Sequence, residues 1–289
     1  MHRFLRILAY ISCLVGILLV IARLQNTDNL SITYYEYVSE KVDSTYSGFK
    51  ILQISDVHNH GVKYANADIV EEIKKIEPDM VVFTGDLVDS HTDNLENIKQ
   101  ISAICSDFTD KLYFVTGNHE AKCGENIRSN LYEVLDSYNI KRYEKTENAY
   151  CEVLPGINLM SVQDPSFTGN DFWYLARNEG DVKQQLENVK DKVKADNLNI
   201  LIGHRPELFD IYANYGFDLC FSGHTHGNQI GFPNFKLALS QLDFRGYVYG
   251  NYSLGSSTLF VSAGLGYSWS MPFRINRNAE LVVVTLRSK

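Results

Sequence analysis

An α/β fold with a parallel-stranded core is predicted by three features of this 289-residue chain. Short apolar, β-prone runs alternate with amphipathic helical stretches from about residue 50 onward, and helical crossovers of that kind join parallel neighbours. Several of those runs stop abruptly at a glycine followed by Asp, Asn or His. Polar groups placed just past strand ends face the crevice where α/β sheets hold ligands. The composition is also that of a globular protein, 45% hydrophobic and 21% charged, which speaks against wholesale disorder.

The first segment stands apart. Ile7 to Ala22 is almost wholly apolar, with Arg3 and Arg6 before it and Arg23 after it. Phe4 and Leu5 extend the run toward the roughly 20 residues a bilayer requires, if Arg6 snorkels to the interface. A cleaved signal peptide has a similar positive start and apolar centre, but Val20-Ile21-Ala22-Arg23-Leu24 offers no clear small-x-small site. An uncleaved transmembrane anchor over residues 1–24 is therefore the expectation, with a signal peptide as the alternative. Arg3, Arg6 and the amino terminus outweigh Arg23 alone, a bias that favours the rest of the chain lying outside the cytoplasm. The expected protein is single-pass, with its domain on the extracytoplasmic side.

The formal net charge is −8. Setting aside residues 1–23 removes three arginines and no acid, leaving 24 basic against 35 acidic side chains. Such a domain is not drawn to an anionic bilayer by bulk charge. No long basic run exists, so no nucleic-acid partner is expected, and a monomer is. Cys13 lies in the apolar segment. Cys105, Cys123, Cys151 and Cys220 show no metal-ligand spacing, and Cys220 reads as core. A disulfide among the others stays open.

Residues 25–47 are polar and Tyr-rich, reading as a stalk that passes into an edge strand; residues 48–289 then form one domain. Lys50 to Ser55 is a predicted strand and Ala67 to Ile76 a helix, since Ile69, Val70, Ile73 and Ile76 recur at helical spacing. Pro78 leads into the buried strand Met80 to Phe83. A helix fits Asn94 to Ile104, a strand Leu112 to Val115, and a helix Asn126 to Asp136. Cys151 to Gln163 reads as strands of a second sheet, and Val182 to Val193 as a helix. The strands Asn199 to Ile202 and Leu219 to Phe221 follow. Gly227 to Ser270 is rich in Gly, Tyr and Ser, and Glu280 to Leu286 closes the chain as an apolar strand.

Five strand ends carry the chemistry. They present Asp56 and His58; Asp86; Asn118 and His119; His204; and His224 and His226. Gly85, Gly117, Gly203 and Gly223 stand directly before four of these groups, and the five groups together hold five of the eight histidines. One such histidine is usually an ordinary core or surface residue. Five in the same setting point to a site. Mixed imidazole and oxygen donors suit first-row ions such as Mn, Fe or Zn rather than Ca or a thiolate centre. A bridging carboxylate can hold two ions roughly 3.5–4 Å apart, and Asp86, alone at its strand end, is the natural bridge.

The set resembles the calcineurin-like metallophosphoesterases, whose blocks D-x-H, GDxxD, GNH[DE], GH and GHxH occur in that order. Here they read Asp56-Val57-His58, Gly85-Asp86-Leu87-Val88-Asp89, Gly117-Asn118-His119-Glu120, Gly203-His204 and Gly223-His224-Thr225-His226. The resemblance implies a four-layer αββα sandwich with two divalent metal ions at the sheet edge. It implies that Asp56, His58 and His226 hold one ion, that Asn118, His204 and His224 hold the other, and that Asp86 bridges. It makes His119 catalytic rather than a ligand, protonating the leaving oxygen or stabilising charge. Glu120 would hold the other nitrogen of His119, or would simply favour a helix start. The apolar N-terminus and glycine-rich C-terminal part are similar to a membrane-associated bacterial branch, which often has glycine where Asn228 stands.

The reaction expected is hydrolysis of phosphate esters by attack of a metal-bound hydroxide. Phosphodiesters of envelope or lipid-linked substrates are favoured by the expected anchor. A phosphomonoesterase or nucleotide phosphodiesterase, a non-catalytic metal- and phosphate-binding membrane protein, and a metal-dependent amidohydrolase are the alternatives. His60 and His91 fit no block and read as surface residues, with His60 a candidate for the cleft. Tyr247, Tyr249, Tyr267, Trp269 and Phe273 either shape a leaving-group pocket or belong to sheet core and rim.

Overall fold

The computed structural model describes residues 2–24, 29–58, 66–90, 94–143, 149–168, 179–229, 246–267, 274–275 and 277–289. Among the described residues twelve strands, numbered along the chain, form two six-stranded sheets. The first holds β1 (Leu30–Ser39), β2 (Lys50–Ile54), β3 (Met80–Phe83), β4 (Leu112–Phe114), β5 (Lys141–Arg142) and β12 (Ala279–Ser288), in the order β1-β12-β2-β3-β4-β5. The second holds β6 (Tyr150–Leu154), β7 (Ile157–Val162), β8 (Leu198–Gly203), β9 (Leu219–Ser222), β10 (Gly250–Leu254) and β11 (Ser257–Val261), in the order β10-β11-β9-β8-β7-β6.

As the alternation predicts, β2, β3, β4 and β5 run parallel. So do β7, β8, β9 and β11. The connections within the first sheet carry α2 (Asn66–Ile76), α3 (Glu96–Phe108), α4 (Asn118–Lys122) and α5 (Glu125–Ser137). The second sheet is joined through α6 (Glu179–Val189) and α7 (Phe209–Asn214). The helix expected over Val182 to Val193 thus starts earlier and ends in a 3-10 turn at Lys190–Lys192.

Alternation along each strand sorts the apolar residues into layers, because neighbouring side chains point to opposite faces. Ile51 and Val82 face Ile200 and Phe221 across the gap between the sheets. Leu52 and Val81 point the other way, onto Ile73 and Ile101 of α2 and α3. Leu201 and Cys220 cover the outer face of the second sheet beneath Leu186 and Phe209. The result is helix, sheet, sheet, helix. Truncating Phe221 to Ala, at the middle of the inter-sheet core, is expected to cost about 3–5 kcal/mol.

The chain's last strand is inserted beside its first. β12 is parallel to β1 and antiparallel to β2, so the C-terminus completes the first sheet rather than the second. The expected edge strand after residue 25 is β1. All five cysteines are free, and Cys220 is buried as expected.

The N-terminal run forms α1, His2–Leu24. Phe4, Ile7, Tyr10, Leu14 and Ile17 on it are exposed. Among the described residues no helix is long and apolar enough to cross a membrane, so the expected span is not supported. The side chains of residues 18–24 lie outside the described set.

Candidate metal centre

The parallel strands deliver their carboxyl ends to one place, and backbone pairing continues past them. Thr84 N donates to Ile54 O at 2.9 Å, Asp56 N to Gly85 O at 3.0 Å, and Gly223 N to His204 O at 3.0 Å. The chain then turns sharply. Asp56, His58, Asp86, His224 and His226 all adopt left-handed backbone angles, with φ between 50° and 70°. Such angles cost non-glycine residues about 1–3 kcal/mol each and persist only where the surroundings over-determine them, commonly at functional sites. The glycines before the candidate donors answer to close approach. A Cβ on Gly117 would strike the Asp86 carboxylate, and one on Gly223 would strike Ser55 Oγ and the Asp56 carboxylate.

Two groups of donors result, and Asp86 joins them. Asp56, His58 and His226 bring one ligand atom each within 4.8 Å of one another, as do Asp86, His204 and His224. His58 Nε2 lies 3.0 Å from His226 Nε2. Asp56 Oδ1 is 3.4 Å from the latter and 3.9 Å from the former. On the other side His204 Nε2 is 3.1 Å from His224 Nδ1 and 3.1 Å from Asp86 Oδ2. The same Asp86 oxygen is 3.8 Å from His58 Nε2. Thr84 O accepts from His204 Nδ1 at 2.7 Å, which leaves Nε2 of a neutral ring as a lone pair aimed at a carboxylate.

Electron-rich atoms therefore face one another in a buried space. Burial, with His119 and His226 adding, drives His58 well below the ordinary imidazole range. Burial and Arg205 do the same to His224, and burial and Arg274 bring His226 down to about 3. Burial pushes Asp56 up to about 7 against the pull of His204. Burial opposes charge on His204 as well, but Asp86 and Asp56 outweigh it and hold the imidazolium up to about 10. Asp86, for which burial is again unfavourable, stays well below its usual range because His204 and His119 compensate. A proton on His204 thus stands where a cation would. The buried Asn118 Oδ1 has no hydrogen-bond partner among the described residues. A buried amide oxygen left unpaired fits a metal ion, because burying it otherwise costs free energy.

His119 differs from the other four histidines in being half-buried rather than fully enclosed. Its ring meets His58 edge-on at 4.5 Å, and its backbone N–H donates to Asp86 Oδ1 at 2.8 Å. It also offers a ring nitrogen within 4.8 Å of donors on His58 and Asp86. Glu120 takes the helix-start role at the head of α4, and holds the Asp86 turn as well. Its carboxylate accepts the N–H groups of Gly117 at 2.7 Å, Asp86 at 2.9 Å and Leu87 at 2.7 Å, and burial with the Asp86 charge pushes it up to about 7.

Several contributors escaped the sequence reading. Ser55 Oγ donates to Asp56 Oδ2 at 2.5 Å, although nothing in its spacing marks it. Arg205, next to His204, grips Asp164 with two bonds at 2.8 and 3.1 Å. Gly264 and Gly266 lie against Asp56 and Val57 so closely that a Cβ on either would overlap them. Tyr247 packs on Phe209 and Tyr252, and Tyr249 donates to Glu280, so both belong to sheet core and rim. His60, His91, Trp269 and Phe273 lie outside the described residues.

Two mixed sheets flanked by helices, with imidazole and oxygen donors gathered at their ends, define a four-layer α/β protein with a candidate metal centre. The chain belongs to the calcineurin-like phosphoesterase family, whose model matches residues 49–228. A metallophosphoesterase of Campylobacter jejuni is 30% identical over 291 residues, covering 99% of this chain and 71% of that protein. A Bos taurus transmembrane protein with a metallophosphoesterase domain is 27% identical over 285 residues, covering 94% of this chain and 60% of that protein. A dimetal phosphatase from Danio rerio has the same fold, with a TM-score of 0.50 at 11% identity over 76% of this chain and 88% of that one. The chain is a phosphoesterase with candidate ligands for the metal ions on which its family depends.

Proposed function

We propose that the chain hydrolyses phosphodiesters of lipid-linked or envelope-linked substrates, acting from a membrane-anchored position outside the cytoplasm. The observation that carries the hydrolytic part is the placement of Asp86 Oδ2 between His204 Nε2, at 3.1 Å, and His58 Nε2, at 3.8 Å. Asp56, His58 and His226 would hold one ion, Asn118, His204 and His224 the other, and Asp86 both. Bound there, two Mn, Fe or Zn ions would polarise the phosphoryl oxygens and bring the pKa of water toward neutrality.

The chain's own residues supply the rest. Thr84 O fixes the His204 tautomer, a contact that orients a ligand ring and raises its basicity. Glu120 holds the backbone of Asp86, and Asp86 Oδ1 holds the backbone N–H of His119. His119 would then keep a proton on a ring nitrogen beside the pair and deliver it to the leaving oxygen. The anchor is supported by the apolar side chains that α1 leaves exposed and by the bovine relative's name as a transmembrane protein. Orientation rests on Arg3 and Arg6 against Arg23. An anchored enzyme meets membrane-linked diesters at high local concentration.

The test uses the full chain with Mn(II) on an aryl phosphodiester, an aryl phosphomonoester and a lipid-linked diester in vesicles. Both diesters should be cleaved faster than the monoester. Preference for the monoester would overturn the substrate class, and metal-independent or absent hydrolysis of all three would overturn the mechanism.

A further inference from the structure

The most deeply buried cation near the centre has no part in the reaction as described so far. Arg274 is 0% exposed, and its guanidinium is directed at backbone carbonyls. Nη2 donates to Ala263 O at 2.8 Å, Gly264 O at 3.2 Å and Gly266 O at 2.6 Å. Nη1 donates to Asn278 O at 3.3 Å and reaches His226 O at 3.5 Å. The Tyr267 ring lies 5.7 Å from the guanidinium carbon. Enclosing a guanidinium is costly unless its N–H groups are met. Its rigid fork of five donors suits carbonyls arriving from several directions.

Three of those carbonyls belong to a loop packed against the Asp56 backbone, and one belongs to His226 itself. The loop 263–266 lies directly on the Asp56 segment, with Leu265 N donating to Ser55 O at 3.0 Å and Gly266 N to Asp56 O at 2.6 Å. Gly264 and Gly266 allow that approach, since a Cβ on either would collide with Asp56 or Val57. Of the other two carbonyls, one is that of Asn278, at the entry to β12, and one is that of His226 itself. Asp56 and His226 both have φ of 50°, a conformation that local preference does not maintain and neighbouring contacts must. Their donor atoms, Oδ1 and Nε2, stand 3.4 Å apart. No hydrogen bond runs from Arg274 to the Asn118 or His204 segments among the described residues, so its hold on the two groups is unequal.

We propose that Arg274 is a positioning residue for the Asp56–His58–His226 subsite. Through loop 263–266 and the His226 carbonyl it sets the separation of Asp56 and His226, touching neither substrate nor ion. This rests on the two-cation reading above.

The test is titration of the full chain, Arg274→Lys and Arg274→Met with Mn(II) alone. Metal content, low-temperature electron paramagnetic resonance and circular dichroism are the readouts. The unaltered chain should take up two Mn(II) with a spin-coupled spectrum. Both variants should fold and keep one ion with an uncoupled spectrum, the other bound roughly 10–100-fold more weakly, as expected when a supporting contact is lost. Lysine should not rescue, because three donors on one atom cannot meet carbonyls on several sides. Two coupled ions at unaltered affinity in Arg274→Met would overturn the proposal, and so would full rescue by lysine. If Arg274→Met does not fold, Arg274→Lys decides alone; failure of both to fold makes Arg274 a general core residue and overturns the proposal too. Fewer than two ions in the unaltered chain would sink the two-cation reading, and this inference with it.

Discussion

Glu120 Oε2 accepts the backbone N–H of Asp86 at 2.9 Å, so the acid of one block holds the backbone of another. The same oxygen accepts from Gly117 N, and Oε1 accepts from Leu87 N and more distantly from Val88 N. Glu120→Gln keeps one accepting oxygen but turns an NH₂ donor toward the other pair of N–H groups. Leaving buried donors unmet costs about 1–3 kcal/mol each, so a loss of roughly 2–6 kcal/mol is expected. Urea unfolding of the metal-free chain measures it. Unaltered stability would show that these contacts do not hold the Asp86 turn.

Asp86 and His119 should separate metal binding from turnover. Asp86→Ala removes the oxygen that lies between the two donor groups, and metal content should fall sharply. His119→Ala should leave both metals bound while slowing hydrolysis roughly 10²–10⁴-fold, most for poor leaving groups, which is the range of general acid work. Elemental analysis decides the role of His119. Its ring nitrogen lies close enough to His58 and Asp86 to serve as a donor, so loss of metal in His119→Ala would make it a ligand.

The five blocks were legible because each is local. An apolar strand and a candidate ligand occur within a few residues, with a glycine between them in four of the five, and the alternation of strand and helix placed them at strand ends. What was hidden depends on long-range contact or on short elements. β12 pairs with β1 and β2 across most of the chain, which an apolar run at residues 280–286 cannot reveal. β10 and β11 lie in Gly-, Tyr- and Ser-rich sequence with little alternation. α4 spans only Asn118–Lys122, too short to display a period. Glu120 stands beside His119 in sequence, yet three of its partners, Asp86, Leu87 and Val88, lie more than thirty residues away. Arg274 carries no pattern at all, since its partners are main-chain oxygens.

Metal binding should release protons. Metal-free His204 is held up to about 10, so at pH 8 it carries a proton on the nitrogen that faces Asp86. A cation must displace that proton to use the lone pair. Loading with Mn(II) at pH 8 should therefore release close to one proton, and affinity should rise about tenfold per pH unit until His204 deprotonates near 10. Below about 7 Asp56 also becomes protonated, so release grows and affinity falls faster. Calorimetry in two buffers of different ionisation enthalpy measures the count. No proton release at pH 8 would mean that His204 is neutral or not displaced.

Deleting the N-terminal helix tests the proposed anchor without touching the site. α1 ends at Leu24, and the first predicted ligand is Asp56. β1 and β2 lie between them and are fastened to β12, so a chain beginning at Gln25 should fold and bind metal as before. Removing exposed Phe4, Ile7, Tyr10 and Leu14 should release it from membranes into the soluble fraction. Activity on a small aryl diester should be unchanged, while activity on a lipid-linked diester in vesicles should drop as tethering is lost. Equal vesicle activity with and without residues 1–24 would remove the reason for a membrane substrate. Protease added to spheroplasts reads orientation directly. A domain outside the cytoplasm is cut at once, whereas one protected until the membrane is broken lies inside and reverses the proposed topology.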